Sequence, residues 1–310
     1  MSSGRQGSIG IGAETTWGTA VAPTAFFNAT ESIVEERTRL REGMNFGTRS
    51  RQPADDGRLR IRGAINGIHA RPANLGHLLR AALGAPQTSG AGPYDHVFTP
   101  ATAKFSAEAA LPPYSVTVKR TSSAIHRYSG GQLNRLVLNQ PVDDALTIDT
   151  DWLFKSVSVE SDTLMALETA PRFRFNQLAV ELGGNSWDAL RSFRLTIDNA
   201  LDPEETLNSS KEISGTDFGD MVITAEITAV FKAKELYDEF VANTTLALEL
   251  TWTNGTNVLV ISLPRLNVES WQAPISGPGR MEVTANCVAE FDSVEGHDLE
   301  VTLTNGTATY

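Results

Sequence analysis

Leu246-Ala-Leu248-Glu-Leu250-Thr-Trp252-Thr-Asn254-Gly255-Thr-Asn-Val258-Leu-Val260-Ile-Ser262 decides the fold class. Leu246, Leu248, Leu250 and Trp252 recur at every second position, and so do Val258 and Val260. A period of two puts one set of side chains on one face of an extended strand. Asn254-Gly255 between two such runs predicts a hairpin with a type I′ turn, whose two central residues both need φ > 0.

The same alternation extends along the chain. Met281-x-Val283-x-Ala285-x-Cys287-x-Ala289-x-Phe291 is one run, and Val116-x-Val118 and Leu133 to Leu138 are others. In Leu146 to Phe154, the residues Leu146, Ile148, Trp152 and Phe154 share a face opposite Thr147, Asp149 and Asp151. Such a strand is half-buried with one polar side. Helical spacing occurs twice. Leu75, Leu78, Leu79 and Ala82 fall on one face of a helix over 74–83, closed by Gly84 with Pro86 beyond. Leu236, Tyr237, Phe240 and Val241 form the stripe of a second helix over 232–242. Each helix is expected to lie on, or plug, a curved antiparallel sheet. Glu35 to Gly57, Gly84 to Pro113 and Leu201 to Phe218 read as neither strand nor helix.

These elements come in the same order twice. An alternating stretch, a tryptophan (Trp17, then Trp187), a polar stretch, an alternating strand and a short helix recur. Both passes close on a Leu-Asn pair, Leu133-Asn134 and Leu266-Asn267, a turn and a long alternating strand. The offset is about 170 residues at the tryptophans, about 162 at the strands before the helices and about 133 at the Leu-Asn pairs. The reading is mainly β: two tandem β-sandwich or barrel modules, each with one short flanking helix and long extended loops. The first module spans 1–160, with an Arg-rich loop over 35–57 and an extra loop over 84–113. Residues 161–172 are the linker, and 173–310 the second module.

The 310 residues carry a net charge of −11, unevenly placed. Residues 1–160 hold 17 Lys/Arg against 14 Asp/Glu, and residues 161–310 hold 9 against 23. Modules of opposite balance suit head-to-tail contact. No run reaches the roughly 18 apolar residues of a membrane span, and no apolar segment follows the first residues as a signal peptide would. Cys287 is the only cysteine, so no internal disulfide forms and a reducing folding site is expected. His69, His77, His96, His126 and His297 show no metal-ligand spacing, and there is no P-loop, no Rossmann fingerprint and no Gly-x-Ser-x-Gly. No enzymatic activity, metal or cofactor is expected.

Ile9-Gly-Ile-Gly-Ala-Glu14-Thr-Thr-Trp17-Gly18-Thr19-Ala-Val-Ala-Pro23-Thr-Ala-Phe26-Phe27 resembles the start of the major tail tube proteins of long-tailed, siphovirus-type bacteriophages. Their common pattern is Gly-x-Gly-x-Glu-x-x-aromatic-Gly-Thr, then a proline and aromatics. In the second copy Trp187 stands with Asp188 where Gly18 would fall, and Glu14 has no clear counterpart. The resemblance implies a structural virion protein whose rings stack into a hollow conduit for phage DNA. With two modules per chain, three chains would close a ring with pseudo-sixfold symmetry. It also implies tail partners (tape measure, tail tip and terminator), DNA that passes without specific binding, no membrane insertion, a place in the virion tail and assembly in the host bacterial cytoplasm.

A conduit for DNA needs a lumen that does not neutralise phosphates. Candidate lumen carboxylates are Asp149 and Asp151 in the first copy and Glu282 and Glu290 in the second. Arg37, Arg39, Arg41, Arg49, Arg51 and Arg58 are candidates for contact between rings or subunits. They also read as a solvated loop running into a strand. Interleaved Glu35, Glu36, Glu42, Asp55 and Asp56 speak against nucleic-acid binding. The competing function is a non-enzymatic β-sandwich that binds a receptor or carbohydrate. A tube protein polymerises with concentration, whereas a binding module stays small.

Overall fold

A computed structural model describes residues 7–41, 50–51, 53–100, 111–121, 124–160, 169–232, 234–275 and 277–310. The first half contains β1 (Ser8–Ala13), β2 (Ala25–Phe27), β3 (Thr30–Glu31), β4 (Val34–Leu40), β5 (Asp55–His69), α1 (Pro72–Leu83), β6 (Gln87–Ser89), β7 (Tyr94–Phe98), β8 (Tyr114–Thr121), β9 (Ala124–Gln140), β10 (Thr147–Phe154) and β11 (Ser156–Glu160). The second contains β12 (Leu178–Leu182), β13 (Asn185–Ser186), β14 (Leu190–Asp198), β15 (Leu201–Glu204), β16 (Gly215–Phe218), β17 (Val222–Val230), α2 (Glu235–Ala242), β18 (Thr245–Asn254), β19 (Asn257–Gln272), β20 (Glu282–Ala289) and β21 (Glu300–Asn305). The protein is mainly β, as the alternation predicts.

β9 is long because it serves two sheets. Its first part pairs with β8 and β11, its last part with β10. The change of sheet falls at Gly130 and Gly131. Gly130 has φ +65°, and a Cβ on Gly131 would lie 2.7 Å from the Phe154 ring. Glycine admits that conformation and approach. β19 makes the same change near Pro264, which has no N–H to give a ladder; its pairing with β18 skips there from Leu263 to Leu266.

Seven strand pairings of the first half have counterparts in the second. β1 pairs with β2 and β8, β9 with β8, β11 and β10, and β5 with β10 and β4. β12 pairs with β13 and β18, β19 with β18, β21 and β20, and β17 with β20 and β14. The Leu-Asn pairs, however, are not equivalent positions. A bulge isolates Asn134 between Leu133↔Trp152 and Arg135↔Asp151, and another isolates Glu269 between Val268↔Cys287 and Ser270↔Asn286. Counted from the bulges, Leu133 matches Val268, two residues away from Leu266. Backbone pairing sets the register here, and a shared dipeptide does not.

Three other expectations change. The hairpin turn is Asn254-Gly255-Thr256-Asn257, because Asn254 and Asn257 pair as the last rung. Gly255 has φ +65° and Thr256 is not among the positive-φ residues. That is the sign pattern of a type II′ turn with glycine first, not type I′. The segments read as lacking structure hold strands. β4 lies in the first, β6 and β7 in the second, β15 and β16 in the third. Their ladders run to partners distant in sequence or to solvent-exposed hairpins, so side-chain alternation does not reveal them. Finally, α1 buries its stripe fully, whereas in α2 only Leu236 is buried.

Candidate assembly interface

The halves meet along a shared sheet. β9 pairs with β14, from Arg135↔Asp198 to Gln140↔Phe193. This joins β4-β5-β10-β9 to β14-β17-β20-β19 edge to edge. The joint is sealed by buried side chains with satisfied polar atoms. Trp252 Nε1 donates to Gln140 Oε1 at 3.0 Å, and the Asn199 amide donates to the carbonyls of Ala82 at 3.2 Å and Leu133 at 3.0 Å. A buried tryptophan N–H needs such an acceptor. A second seam pairs β7 with β21, from Phe98↔Val301 to Tyr94↔Asn305.

One face of the shared sheet packs into the core through Ile148, Trp152, Leu136, Leu138, Phe193, Leu195, Ile223, Ile227, Val283 and Cys287. The opposite, open face carries Asp149, Asp151 and Glu282 of the sequence candidates. Asp151 stands beside Arg135, which stands beside Asp198 across the joint; the Arg135–Asp151 ion pair is 3.1 Å. In a second row Arg194 lies between Asn139 and Glu226. Asp149 Oδ1 accepts from the Gly67 N–H at 2.8 Å, and Glu282 pairs with Arg191 at 3.0 Å. Opposite charges on facing strands are favourable by a few tenths to about 1 kcal/mol each. Glu290 lies just past β20 and is held by Arg265 at 3.3 Å and Asn267 at 3.0 Å. Arg135, Arg194, Asp198 and Glu226 were not among the sequence candidates, though each occupies a polar position of an alternating strand.

The arginine candidates divide. Arg39 pairs with Asp56 at 2.8 Å, and Arg37 reaches Glu35 at 3.6 Å and Asp56 at 3.9 Å. Lys211, from the second half, also grips Asp56 at 3.0 Å. Its hydrogen bond and charge, with Arg39 and Arg37, hold the Asp56 carboxyl below its ordinary range. Arg58 donates to Thr206 O at 3.2 Å and lies 3.5 Å from Glu205. Arg60 makes a bidentate pair with Glu205, at 2.6 and 3.0 Å, which likewise lowers that carboxyl. Leu59 N donates to Lys211 O at 2.8 Å. So the β14–β17 connection reaches across the joint and grips β5. Arg41 and Arg51 are exposed, and Arg49 lies outside the described residues.

The shared sheet ends in two open edges. Among the described residues, β4 pairs only with β5, and 268–272 of β19 pair only with β20, since the β18 ladder stops at Thr245↔Asn267. Unpaired edges of this kind are templates for another strand.

The Gly-x-Gly-x-Glu-x-x-Trp-Gly stretch forms a clamp. Buried Glu14 accepts from Ser115 Oγ at 2.6 Å, Gly130 N at 2.9 Å and Gly18 N at 2.8 Å. Trp17 Nε1 donates to Gly130 O at 3.1 Å, and Lys155 Nζ sits 4.4 Å above the Trp17 ring. Gly18 has φ +80°, and its missing side chain leaves room for Lys155. The stretch thus fastens the β1–β2 loop to the bend of β9. In the second half Asp188 instead pairs with Lys232 at 2.7 Å on the surface, without this clamp.

Among the described residues no group of three or more His, Cys, Asp or Glu could hold a metal ion, and no helix is long and apolar enough to cross a membrane. Residues 4–305 match a family described as phage tail tube protein. No curated protein matches the chain.

Proposed function

The chain belongs to the phage tail tube protein family, and from that premise we propose that it consists of two copies of one module, 1–160 and 173–310, so that three chains close a ring of six equivalent positions. The family is structural, without enzymatic activity; its members sit in the virion tail and assemble into a tube with other tail proteins. That assignment displaces the receptor- or carbohydrate-binding alternative. Stacked rings form the conduit for phage DNA, assembled in the host cytoplasm on tape measure, tail tip and terminator.

The observation that carries the ring is the β9–β14 joint with its two open ends. β14 sits against β17 as β3 and β4 sit against β5: Ile197↔Ile223 and Phe193↔Ile227 match Glu35↔Ile61 and Glu31↔Ile65. The part of β9 paired with β14 matches 270–272 of β19 by the bulges. The open edge at one end is therefore the counterpart of β9, and that at the other end the counterpart of β14. Transferring the register pairs Val34, Glu35 and Glu36 of one chain with Gln272, Trp271 and Ser270 of the next. A head-to-tail contact of this kind closes when its rotation is a whole fraction of a turn.

The open face of the continued sheet lines the lumen. Its alternating Arg and Asp/Glu rows compensate one another and offer no continuous basic stripe to phosphates. The β4–β5 connection, which carries Arg49 and Arg51 in the sequence, docks on acidic surface of an adjacent ring, as the β14–β17 connection reaches over β5 within the chain. Arg49→Glu/Arg51→Glu is expected to leave a folded subunit that does not stack; tubes of normal length would sink that role. End-on negative-stain images across concentration test the ring itself. Hollow rings of three chains support it. Rings of six chains reject the module count, and particles without a channel at every concentration reject tube assembly.

A further inference from the structure

We propose that the exposed apolar face of α2 is a docking surface for β11 of the next copy of this chain in the ring. The inference rests on the ring reading above and adds a second, independent strip of contact to it.

The two helices hold corresponding places, each between the strand pair at the joint and the next hairpin. α1 is sealed. Leu75, Leu78, Leu79, Ala81, Ala82 and Leu83 are all buried. Part of its cover comes from the other half of the chain. The Asn305 amide at the end of β21 donates to Pro72 O at 2.7 Å, and the Tyr310 ring lies edge-on to His77 at 5.1 Å. Among the described residues α2 has no such cover. Tyr237, Phe240 and Val241 are 40%, 39% and 64% exposed, and the helix packs on β19, with Tyr237 5.0 Å from the Trp271 ring. The reason is visible in the chain: between α2 and β18 lie only Asn243 and Thr244, whereas the connection after α1 supplies β6 and β7.

The missing cover has a counterpart at the other end of the molecule. At the register set by the bulges, His126 of β9 matches Ile261 of β19, so their partners Val159 and Val301 hold the same place, and Val157 takes that of Leu299. Leu299 and Val301 are fully buried, but Val159 is 73% exposed. Among the described residues the outer side of β11 has no paired strand, whereas β21 has β7. The repeat that carries the first half onto the second carries β21 onto β11 of the following chain. It therefore carries the α1–β21 contact onto an α2–β11 contact between chains. Both β11 and the edge strand β4 belong to the first half, so one neighbour supplies both strips. Trp271 links them, with its backbone on the open edge and its ring under α2. Apolar side chains clustered beside an open edge mark an interaction site.

A Val159→Cys/Val241→Cys double variant tests the contact with a short bis-maleimide. The native Cys287 is buried and its thiol is pushed up to about 12 by desolvation, so it contributes little background. Assembled tubes of the double variant are expected to give covalent dimers and trimers, and neither single variant should. Phe240→Asp, on an exposed position, is expected to keep the subunit's melting temperature and raise the concentration needed for assembly about tenfold or more. Threefold tubes that neither cross-link nor respond to Phe240→Asp would overturn the docking and leave the ring standing. Failure of the unsubstituted chain to form rings would overturn the ring, and this contact with it.

Discussion

α1 and α2 sit at the same point of the same strand order, and one is sealed while the other lies half bare. Their stripes are alike in the sequence, so the stripe does not decide burial. What decides it is whether the chain returns to cover the helix. Among the described residues each half ends on one open edge, but the first half's helix is covered by β7, β21 and Tyr310 while the second half's keeps an open face. The subunit is asymmetric in finish although its pairings repeat.

The largest expected effect separates the helices directly. Leu79→Ala, in the sealed helix, should cost about 3 kcal/mol from lost burial and a residual cavity. Val241→Ala, in the bare one, should stay within about 0.5 kcal/mol in the free subunit. Urea unfolding of unassembled protein measures both, and equal losses would break the contrast.

A pH titration of stability sharpens it. Burial pushes His77 on α1 from 6.5 down to about 4, with Arg80 adding to the shift. The folded state thus resists a proton that the unfolded chain accepts. The contribution is complete above pH 6.5 and is lost as pH falls towards about 4, amounting to about 3 kcal/mol. His77→Gln should remove this part of the acid sensitivity. If wild type and variant lose stability in parallel between those limits, His77 is not neutral in the folded chain.

Smaller effects compare other counterparts. Gly63 corresponds to Ala225, but a Cβ on Gly63 would lie 2.4 Å from the Ile33 backbone. Gly63→Ala should therefore cost about 2 kcal/mol, although the second half carries alanine at that place. A neutral result by thermal melting would show that the β3–β4 connection yields easily. Glu14→Gln replaces an oxygen that accepts buried N–H and O–H groups by an amide donor, and about 1.5 kcal/mol should be lost. Asp188→Asn, in the exposed loop that corresponds in the second half, should leave the melting midpoint unmoved. The two substitutions behaving alike would remove the clamp as an explanation of the N-terminal stretch.

Much of the fold could be read in advance where side chains alternate. β10, β18, β19 and β20 fall on the runs around Trp152, Leu250, Val260 and Ala285, and α1 lies within two residues of its expected start. β4 carries no apolar alternation because all seven of its residues are exposed; its side-chain links to β5, such as Arg39–Asp56 and Glu36–Arg62, join charged residues far apart in the chain. The type II′ turn likewise carries no dipeptide signal: the rung Asn254↔Asn257, not the Asn-Gly dipeptide, fixes which residues are central. Of the surface candidates, Asp149 and Asp151 fall on the polar face anticipated for them. Arg58 instead turns to Thr206 and Glu205 of its own chain, a partner 148 residues away in the case of Thr206. Separation of that length leaves no periodic signal.

The sequence by itself determined that the chain is built of alternating strands with two short helices, in an order that occurs twice, and its opening residues pointed to the tail tube family. Only the tertiary structure decided that β9 and β19 each serve two sheets, that β9 receives β14 across the joint, and that α1 is covered while α2 is not. Alternation states that one face of a strand is buried but not beneath what. Backbone hydrogen bonds, which choose the neighbour, are made by groups that nearly every residue shares.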